Sequence, residues 1–128
     1  MTPKRVQLSR KRGSRLPPNT VNVARPSKWG NPYRVAPVKP GERGVGARYE
    51  VIDPDGEHVE CFASLRAARS CAVSRFRCHI QTGDGELINH YVVAVRRDLH
   101  GKNLACWCPA DQPCHADVLL AVANEATP

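Results

Sequence analysis

The sequence predicts a small α/β domain of two or three layers, with a short parallel sheet, a β-hairpin insertion and two to three helices. Two strand-like segments separated by helical segments favour parallel pairing, because a parallel connection needs a crossover that is usually helical. A Pro-Asp-Gly turn between two β-prone segments indicates the hairpin. The length of 128 residues is that of one domain with a core of its own.

The first half of the chain is predicted to supply one strand, one loop and the hairpin. Residues 20–25 alternate β-branched and polar side chains, which is typical of a short strand. Residues 25–33 form a loop that contains two prolines, and residues 35–47 are so rich in proline and glycine that we expect an irregular excursion. The hairpin then pairs residues 49–52 with residues 58–62.

The second half is predicted to be mostly helical. Ser64 can cap a helix that continues to about residue 81, because apolar side chains recur there at helical spacing: Leu65, Ala68, Ala72, Phe76 and Ile80. Off this stripe lie four arginines that we expect to be solvated: Arg66, Arg69, Arg75 and Arg77. Residues 87–99 suit a second helix but would also suit a strand. An apolar strand at residues 102–108 precedes a last helix that begins at Cys114 or His115 and ends near residue 124.

The net charge of +7 is concentrated near the first residue. Six of the nineteen Lys and Arg residues precede residue 16 and no acidic residue does, which leaves thirteen basic residues against twelve acidic ones; the six are Lys4, Arg5, Arg10, Lys11, Arg12 and Arg15. We therefore predict a basic flexible arm at residues 1–15 and a single α/β domain at residues 16–128, which includes the Cys/His segment 104–119. Such an arm binds nucleic acid weakly by neutralising phosphates, or it is a solvated tail without a specific role.

Composition also excludes some classes of protein. No stretch approaches the ~20 apolar residues of a membrane span, and the basic start is not followed by the apolar segment of a secretory signal. Six cysteines in a chain without an export signal favour reduced thiols or metal ligands over disulfides. We expect a cytoplasmic protein that does not interact with membranes.

The segment LACWCPADQPCHADVL carries four potential metal ligands within ten positions: Cys106, Cys108, Cys114 and His115. It lies where a strand gives way through a loop to a helix, and loops at the carboxyl ends of strands are where ligands usually bind. Three thiolates and an imidazole form a tetrahedral zinc shell. The first hypothesis is therefore a zinc site, although C-x-C followed by adjacent C-H is not a standard zinc-finger spacing.

Two other interpretations of this segment remain open. In the first, Cys114 is a nucleophile near a helix amino terminus, where the helix dipole lowers a thiol pKa, and His115, or Asp117 acting through a histidine, tunes the thiolate. The same helix end would bind an anion. In the second, Cys106 and Cys108 only pack inside the sheet and His115 forms local hydrogen bonds.

The loop RPSKWGNP is the second candidate site. Arg25 and Lys28 could bind phosphate, and Trp29 could stack on a base or ribose. Gly30 permits a close approach of the backbone, while a hydroxyl and an amide come from Ser27 and Asn31. The alternative is a rigid turn with its tryptophan in the core and its cations in water.

The segments PPNTVNVARPSKWGNPY and LHGKNLACWCPADQPCHADVLLAVAN, about a third of the chain, resemble a phage and bacterial family known as domain of unknown function 4326. The resemblance implies a short single domain with a variable middle, and it implies no particular reaction. It also implies that two sets of residues are signature sites: Arg25, Pro26, Ser27, Lys28, Trp29, Gly30, Asn31 and Pro32, and Cys106, Cys108, Cys114 and His115.

Three functions follow as hypotheses. The leading one is a module that binds a nucleotide or nucleic-acid component between the two loops, with a metal at the Cys/His cluster that is structural or acts as a Lewis acid in hydrolysis or group transfer. The second is a non-catalytic nucleic-acid or protein interaction module with a structural Cys/His cluster. The third is a metal-free thiol enzyme that uses Cys114.

Overall fold

The computed structural model describes residues 2–82 and 86–125 and arranges them as six strands and three helices. In chain order the elements are β1 (Arg5–Gln7), β2 (Thr20–Asn22), β3 (Arg34–Pro37), β4 (Tyr49–Ile52), β5 (His58–Phe62), α1 (Leu65–Thr82), α2 (Glu86–Leu99), β6 (Asn103–Cys106) and α3 (His115–Asn124). The predicted arm and domain also include residues 1, 83–85 and 126–128, which lie outside the described residues. A parallel sheet, an antiparallel sheet and helices together confirm the predicted small α/β class. No helix among the described residues combines the length and apolarity needed to cross a bilayer.

The parallel sheet has the strand order β1–β6–β2, so the last strand of the chain lies at its centre. In β6, Ala105 pairs with Val6 on one side and Leu104 pairs with Val21 on the other. All four residues of β6 are buried. A fully buried central strand is typical of a parallel sheet and needs side chains that are apolar or hydrogen-bonded.

The parallel arrangement brings three loops to one edge of this sheet, which we call the carboxyl edge because all three strands end there. Residues 8–19 follow β1, residues 23–33 follow β2 and residues 107–114 follow β6. The two segments that the sequence analysis singled out therefore start from neighbouring strands. In α/β proteins this is the edge at which ligands most often bind.

The predicted hairpin is confirmed as β4 and β5, which pair antiparallel with β4 at the centre of a second sheet. The carboxylate of Asp53 accepts hydrogen bonds from the backbone N–H groups of Asp55 and Glu57, each at 2.9 Å. Gly56 has a φ of 87°, in the left-handed region that glycine adopts at little cost. Local turn chemistry thus fixes the hairpin.

The irregular excursion predicted for residues 35–47 is wrong at its start. Residues 34–37 form β3 and pair antiparallel with β4, with Val35 opposite Val51. Val35 packs against the apolar cluster beneath the second sheet. This partner is distant in sequence, so the local proline and glycine content concealed the strand.

The helices follow the predicted periodicity. The Ser64 hydroxyl accepts a hydrogen bond from the backbone N–H of Ala67 at 3.1 Å, which confirms it as the cap of α1. Of the predicted apolar stripe, Ala68, Ala72, Phe76 and Ile80 are buried. The segment that suited either a helix or a strand is the helix α2, and the last helix begins at His115.

Helix α1 belongs to both parts of the core. Its Ala68 and Ala72 pack with Val51 under the second sheet, while its Phe76 belongs to the main core together with Leu104 and other apolar residues of β6, α2 and α3. This helix therefore fixes the position of the second sheet relative to the parallel sheet.

The arm predicted at residues 1–15 is not wholly separate from the domain, because it contains β1. The backbone carbonyl of Lys4 accepts from the N–H of Leu104 at 3.0 Å, and the N–H of Leu8 donates to the carbonyl of Cys106 at 2.7 Å. The backbone N–H of Lys4 also donates to the Asn103 side chain at 3.0 Å. A three-residue edge strand flanked by charges has no periodicity of its own, which explains why its sequence indicates an arm.

We expect removal of residues 2–8 to lower the free energy of unfolding by about 3 kcal/mol or more, because it deletes a strand and at least the three hydrogen bonds above, each worth about 0.5–1.5 kcal/mol. Urea unfolding followed by circular dichroism measures this. The matched control changes the exposed Lys11, Arg12 and Arg15 to Ser, which should alter stability by no more than about 0.5 kcal/mol. Equal stability of the deletion variant and the wild type would mean that the segment is a dispensable arm after all.

Candidate metal centre and adjoining cavity

A cavity of about 330 Å³ opens at the carboxyl edge. Its walls come from the loop after β2, the loop after β6 and one side of α1, and they include Arg25, Asn31, Arg69, Cys106, Trp107 and Cys108. The two sequence segments predicted to form a site therefore meet at one cavity. Among the described residues that line it there are two arginines and no carboxylate.

Three thiols converge beside this cavity. The sulfur atoms of Cys106, Cys108 and Cys114 all lie within 4.8 Å of one another, and those of Cys106 and Cys114 are 2.9 Å apart. Cys106 and Cys114 are buried, whereas Cys108 is half-buried. Cys106 and Cys108 line the cavity.

Local structure explains why the thiols meet. Cys106 is the last residue of the buried central strand, and Cys108 follows it by two positions. Cys114 is the N-cap of α3, where its sulfur accepts a long hydrogen bond from the backbone N–H of Ala116 at 3.5 Å. The loop between them folds back, so that the end of a strand and the start of a helix face each other.

His115 lies beside the thiols, and one of its ring nitrogens forms a hydrogen bond to the backbone. Its Nε2 is 2.8 Å from the backbone carbonyl of Val23, and a carbonyl only accepts, so Nε2 carries the proton. The lone pair is then on Nδ1, which is 3.7 Å from the sulfur of Cys114. Burial lowers the pKa of His115, so the ring is neutral near pH 7. His115 is not part of the group whose ligand atoms all lie within 4.8 Å.

The three thiols influence each other's protonation because they are hydrogen-bonded. The contacts with Cys106 and Cys114 lower the pKa of the Cys108 thiol. The contact with Cys108 raises the pKa of Cys106, and the contacts with Cys106 and Cys108 raise the pKa of Cys114. The negative charge of the cluster is therefore expected on Cys108, the thiol nearest to solvent.

The donor set fits a thiophilic ion. Thiolates and a neutral imidazole are ligands that zinc prefers, and a ligating histidine commonly donates its other N–H to a carbonyl, as His115 does. Two thiolates on one tetrahedral zinc lie about 3.8 Å apart, since each Zn–S bond is about 2.3 Å. The sulfur atoms of Cys106 and Cys114 are closer than this. Binding of an ion would therefore increase the distance between them by slightly less than 1 Å.

Three arginines outside the Cys/His segment hold the loop that follows β6. Arg5, in the edge strand β1, donates to the backbone carbonyls of Pro109, Ala110 and Gln112 at 2.6–3.0 Å and also to the carboxylate of Asp117 at 2.9 Å. From α1, Arg66 and Arg69 donate to the same loop, and their acceptors are the Asp111 carbonyl and the Gln112 side chain.

The loop after β2 is also internally braced. Arg25 donates to the carbonyls of Asn31 at 2.9 Å and Tyr33 at 2.5 Å. A Cβ at Gly30 would lie 2.9 Å from the Cγ of Arg25, so the close approach predicted for this glycine is to Arg25. The Asn31 amide donates to the Ala72 carbonyl of α1 at 3.1 Å and accepts from the N–H of Tyr33. Burial and then the nearby Arg34 lower the pKa of Arg25.

The other predicted site residues lie away from the cavity. Trp29 is buried in the main core, with its ring 5.8 Å from that of Tyr91. The Lys28 side chain is 70% exposed and is 3.8 Å from Asp98. The Ser27 hydroxyl accepts from the backbone N–H of Trp29. Asp117 contacts Arg5. His115, by contrast, lines the cavity.

Sequence reasoning missed three residues at the site. Arg69, expected to be solvated, lines the cavity, and Arg5 holds the loop although it was grouped with the flexible arm. Trp107 is 46% exposed and lines the cavity. A tryptophan between two cysteines was the one signal in the sequence that could have suggested a ligand contact.

Fold and site together define a small mixed α/β protein with a three-thiol cluster beside a cavity at the carboxyl edge of a parallel sheet. The chain belongs to the family described as domain of unknown function (DUF4326), whose model matches residues 6–125. The match covers nearly the whole chain and confirms the family that two segments indicated. No curated protein and no solved structure matches the chain.

We expect Arg5→Lys to raise the alkylation rate of Cys114 in metal-free protein by about tenfold or more. Lysine keeps the positive charge but cannot reproduce the forked hydrogen bonds to several carbonyls, each worth about 0.5–1.5 kcal/mol, so the loop opens more often. Iodoacetamide labelling followed by peptide mass spectrometry measures the rate. Arg75→Lys, an exposed change on α1, is the control. Identical Cys114 labelling in Arg5→Lys and wild type would contradict a bracing role for Arg5.

Proposed function

We propose that this protein binds a thiophilic metal ion of the zinc class through Cys106, Cys108 and Cys114, and binds a nucleotide or a nucleotide-like anion in the adjoining cavity. The observation that carries the proposal is the convergence of three sulfur atoms within 4.8 Å beside a cavity that two of these cysteines and two arginines line. A cluster of thiols with no disulfide among them, in the position where α/β proteins bind ligands, suits a metal site better than a core packing role.

The metal part of the proposal is supported by how the ligands are held. Cys106 is fixed by the central strand and Cys114 by the start of α3, while the arginine-braced loop carries Cys108. His115 offers Nδ1 as a fourth ligand, since the Val23 carbonyl fixes its tautomer. Ligands that are oriented before the ion arrives lose little conformational freedom when it binds.

The ligand part of the proposal is supported by the chemistry of the cavity walls. Its volume of about 330 Å³ lies within the roughly 300–1,000 Å³ of small-molecule sites. Arg25 and Arg69 provide guanidinium groups, which recognise phosphate through paired hydrogen bonds. Trp107 provides an exposed aromatic surface on which a base can stack.

The fourth metal position decides between a binding module and an enzyme. With His115 as the fourth ligand the shell is complete and the ion is structural. With water in that position the ion supplies Lewis-acid activation beside the cavity, as in hydrolysis or group transfer. In either case Arg25 and Arg69 orient the anion and Trp107 orients its base. The thiol-enzyme alternative has weaker support, because Cys114 is buried and the thiols that line the cavity are those of Cys106 and Cys108.

We expect purified protein to contain about one zinc per chain, with the affinity falling at least about 100-fold on changing Cys106, Cys108 or Cys114 to Ser. Loss of a direct ligand should exceed the roughly 10–100-fold effect of losing a residue behind a ligand. Elemental mass spectrometry and competition with a chromophoric chelator measure content and affinity. Cys61→Ser, in β5 of the second sheet, is the matched control. Protein that takes up no metal and whose three thiols alkylate freely would contradict the metal proposal.

The His115→Ala variant determines the coordination shell. If His115 is a ligand, the cobalt-substituted variant changes its visible spectrum and loses affinity. If water holds the fourth position, the spectrum and the affinity stay close to those of the wild type, and the hydrolase or transferase hypothesis gains support over a purely structural ion.

We expect Arg69→Gln to weaken binding of nucleoside 5′-monophosphates about tenfold, because a charge-assisted hydrogen bond to phosphate is worth roughly 1.5–3 kcal/mol. Isothermal titration calorimetry with the common ribo- and deoxyribonucleotides measures the affinity. Arg75→Gln removes one exposed charge from the same helix and should leave the affinity unchanged. If none of these nucleotides binds to the metal-loaded wild type, the ligand part of the proposal fails.

A further inference from the structure

The basic segment after β1 emerges next to the cavity. Because β1 and β6 are parallel neighbours, Gln7 lies beside Cys106, and both chains leave the sheet at the carboxyl edge. The guanidinium of Arg10 is 5.1 Å from the centroid of the Trp107 ring. The charge cluster of the sequence and the aromatic wall of the cavity are therefore in direct contact.

The segment that continues from this contact exposes several cations. This segment forms an exposed turn. The turn is closed by a hydrogen bond from the N–H of Ser14 to the carbonyl of Lys11 at 3.0 Å. We call residues 9–15 the basic turn; its charged side chains, all exposed, are Arg10, Lys11, Arg12 and Arg15. None of the ion pairs among the described residues involves them.

This charge excess extends well beyond the basic turn. The first 41 residues contain no Asp or Glu and ten basic residues, namely Lys4, Arg5, Arg10, Lys11, Arg12, Arg15, Arg25, Lys28, Arg34 and Lys39. Four of them lie in the basic turn, and Arg25 lines the cavity. A ligand that reaches from the cavity to the basic turn therefore meets cations at both ends of its path.

We propose that the ligand is a single-stranded nucleic acid, with one nucleotide in the cavity, a base on Trp107 and the neighbouring phosphates on the basic turn. The inference rests on the proposed function, because it extends the mononucleotide site along a polymer. An exposed aromatic beside a line of cations is the arrangement by which proteins bind single strands. A duplex would not suit it, since stacked pairs keep their base faces from Trp107 and a cavity of about 330 Å³ accepts a single nucleotide.

The test compares a mononucleotide with oligonucleotides of about eight residues, within the roughly 4–16 nucleotides of single-strand sites. Fluorescence anisotropy measures the affinity of metal-loaded protein for one sequence as single-stranded DNA, single-stranded RNA and duplex, at several salt concentrations. One variant changes Lys11, Arg12 and Arg15 to Ser and keeps Arg10 on Trp107. The matched control removes three exposed charges elsewhere, Arg48, Arg75 and Arg77.

We expect the single strand to bind at least tenfold more tightly than the mononucleotide, and the basic-turn variant to lose that advantage while keeping its mononucleotide affinity. Each phosphate contact on a single strand contributes about 0.7 to the slope of log affinity against log salt concentration. Three such contacts should make this slope steeper by about 2 in the wild type than in the variant. Between 50 and 200 mM salt this corresponds to a roughly 20-fold greater loss of affinity for the wild type. Trp107→Leu should weaken binding of both ligands. A preference between the DNA and RNA strands then identifies the polymer.

Several results would overturn the inference. If the mononucleotide binds but the single strand binds no more tightly, or if the basic-turn variant and its control bind the strand alike, the polymer proposal fails and the mononucleotide site stands. If the duplex binds more tightly than the single strand, the basic turn is assigned to another partner. The same follows if polyglutamate displaces the bound strand as effectively as an unlabelled strand does. A further result would refute both the polymer path and the cavity site. In that result the strand binds and needs the basic turn but not Trp107, and the mononucleotide does not bind.

Discussion

Parallel pairing to a single buried strand is the constraint on which the rest of this molecule depends. β6 lies between β1 and β2, and since all three strands run in the same direction, each must release its chain at the carboxyl edge. The basic turn, the loop after β2 and the loop after β6 are therefore neighbours by topology. A reversed β1 would send the basic turn to the far edge of the sheet while leaving the composition of the chain unchanged.

Hydrogen bonding rather than apolar burial then shapes the loop after β6. Residues 109–112 are exposed or only half-buried, so few apolar contacts hold them, and their carbonyls instead accept from Arg5 and Arg66. A guanidinium suits this task because its planar fork satisfies several acceptors with one ordered side chain. The arrangement also links the loop to β1, so the edge strand stabilises the thiol cluster as well as the sheet.

Local signals made most of the elements predictable. A Pro-Asp-Gly turn and an apolar stripe at helical spacing depend only on near neighbours, and both the hairpin and α1 were confirmed. β1 and β3 were missed because a short edge strand is defined by a distant partner. The thiol cluster could be proposed from residue density alone, but the contributions of Arg5 and Arg69 could not. Each of these arginines contacts a loop that only the tertiary fold brings within its reach.

Because one loop carries both Cys108 and Trp107, metal and ligand are expected to influence each other's binding. An ion on Cys108 would fix the backbone next to the indole ring, so the ligand would meet a wall that is already ordered and would lose less entropy on binding. Coupling free energies are reciprocal, so a ligand stacked on Trp107 would slow loss of the ion by the same thermodynamic link. The same ion would contact the buried Cys106, at the end of β6, and the buried Cys114, at the start of α3. A cluster with a purely structural role would stabilise the fold equally well anywhere in the core; its position at the cavity is what makes such coupling physically available.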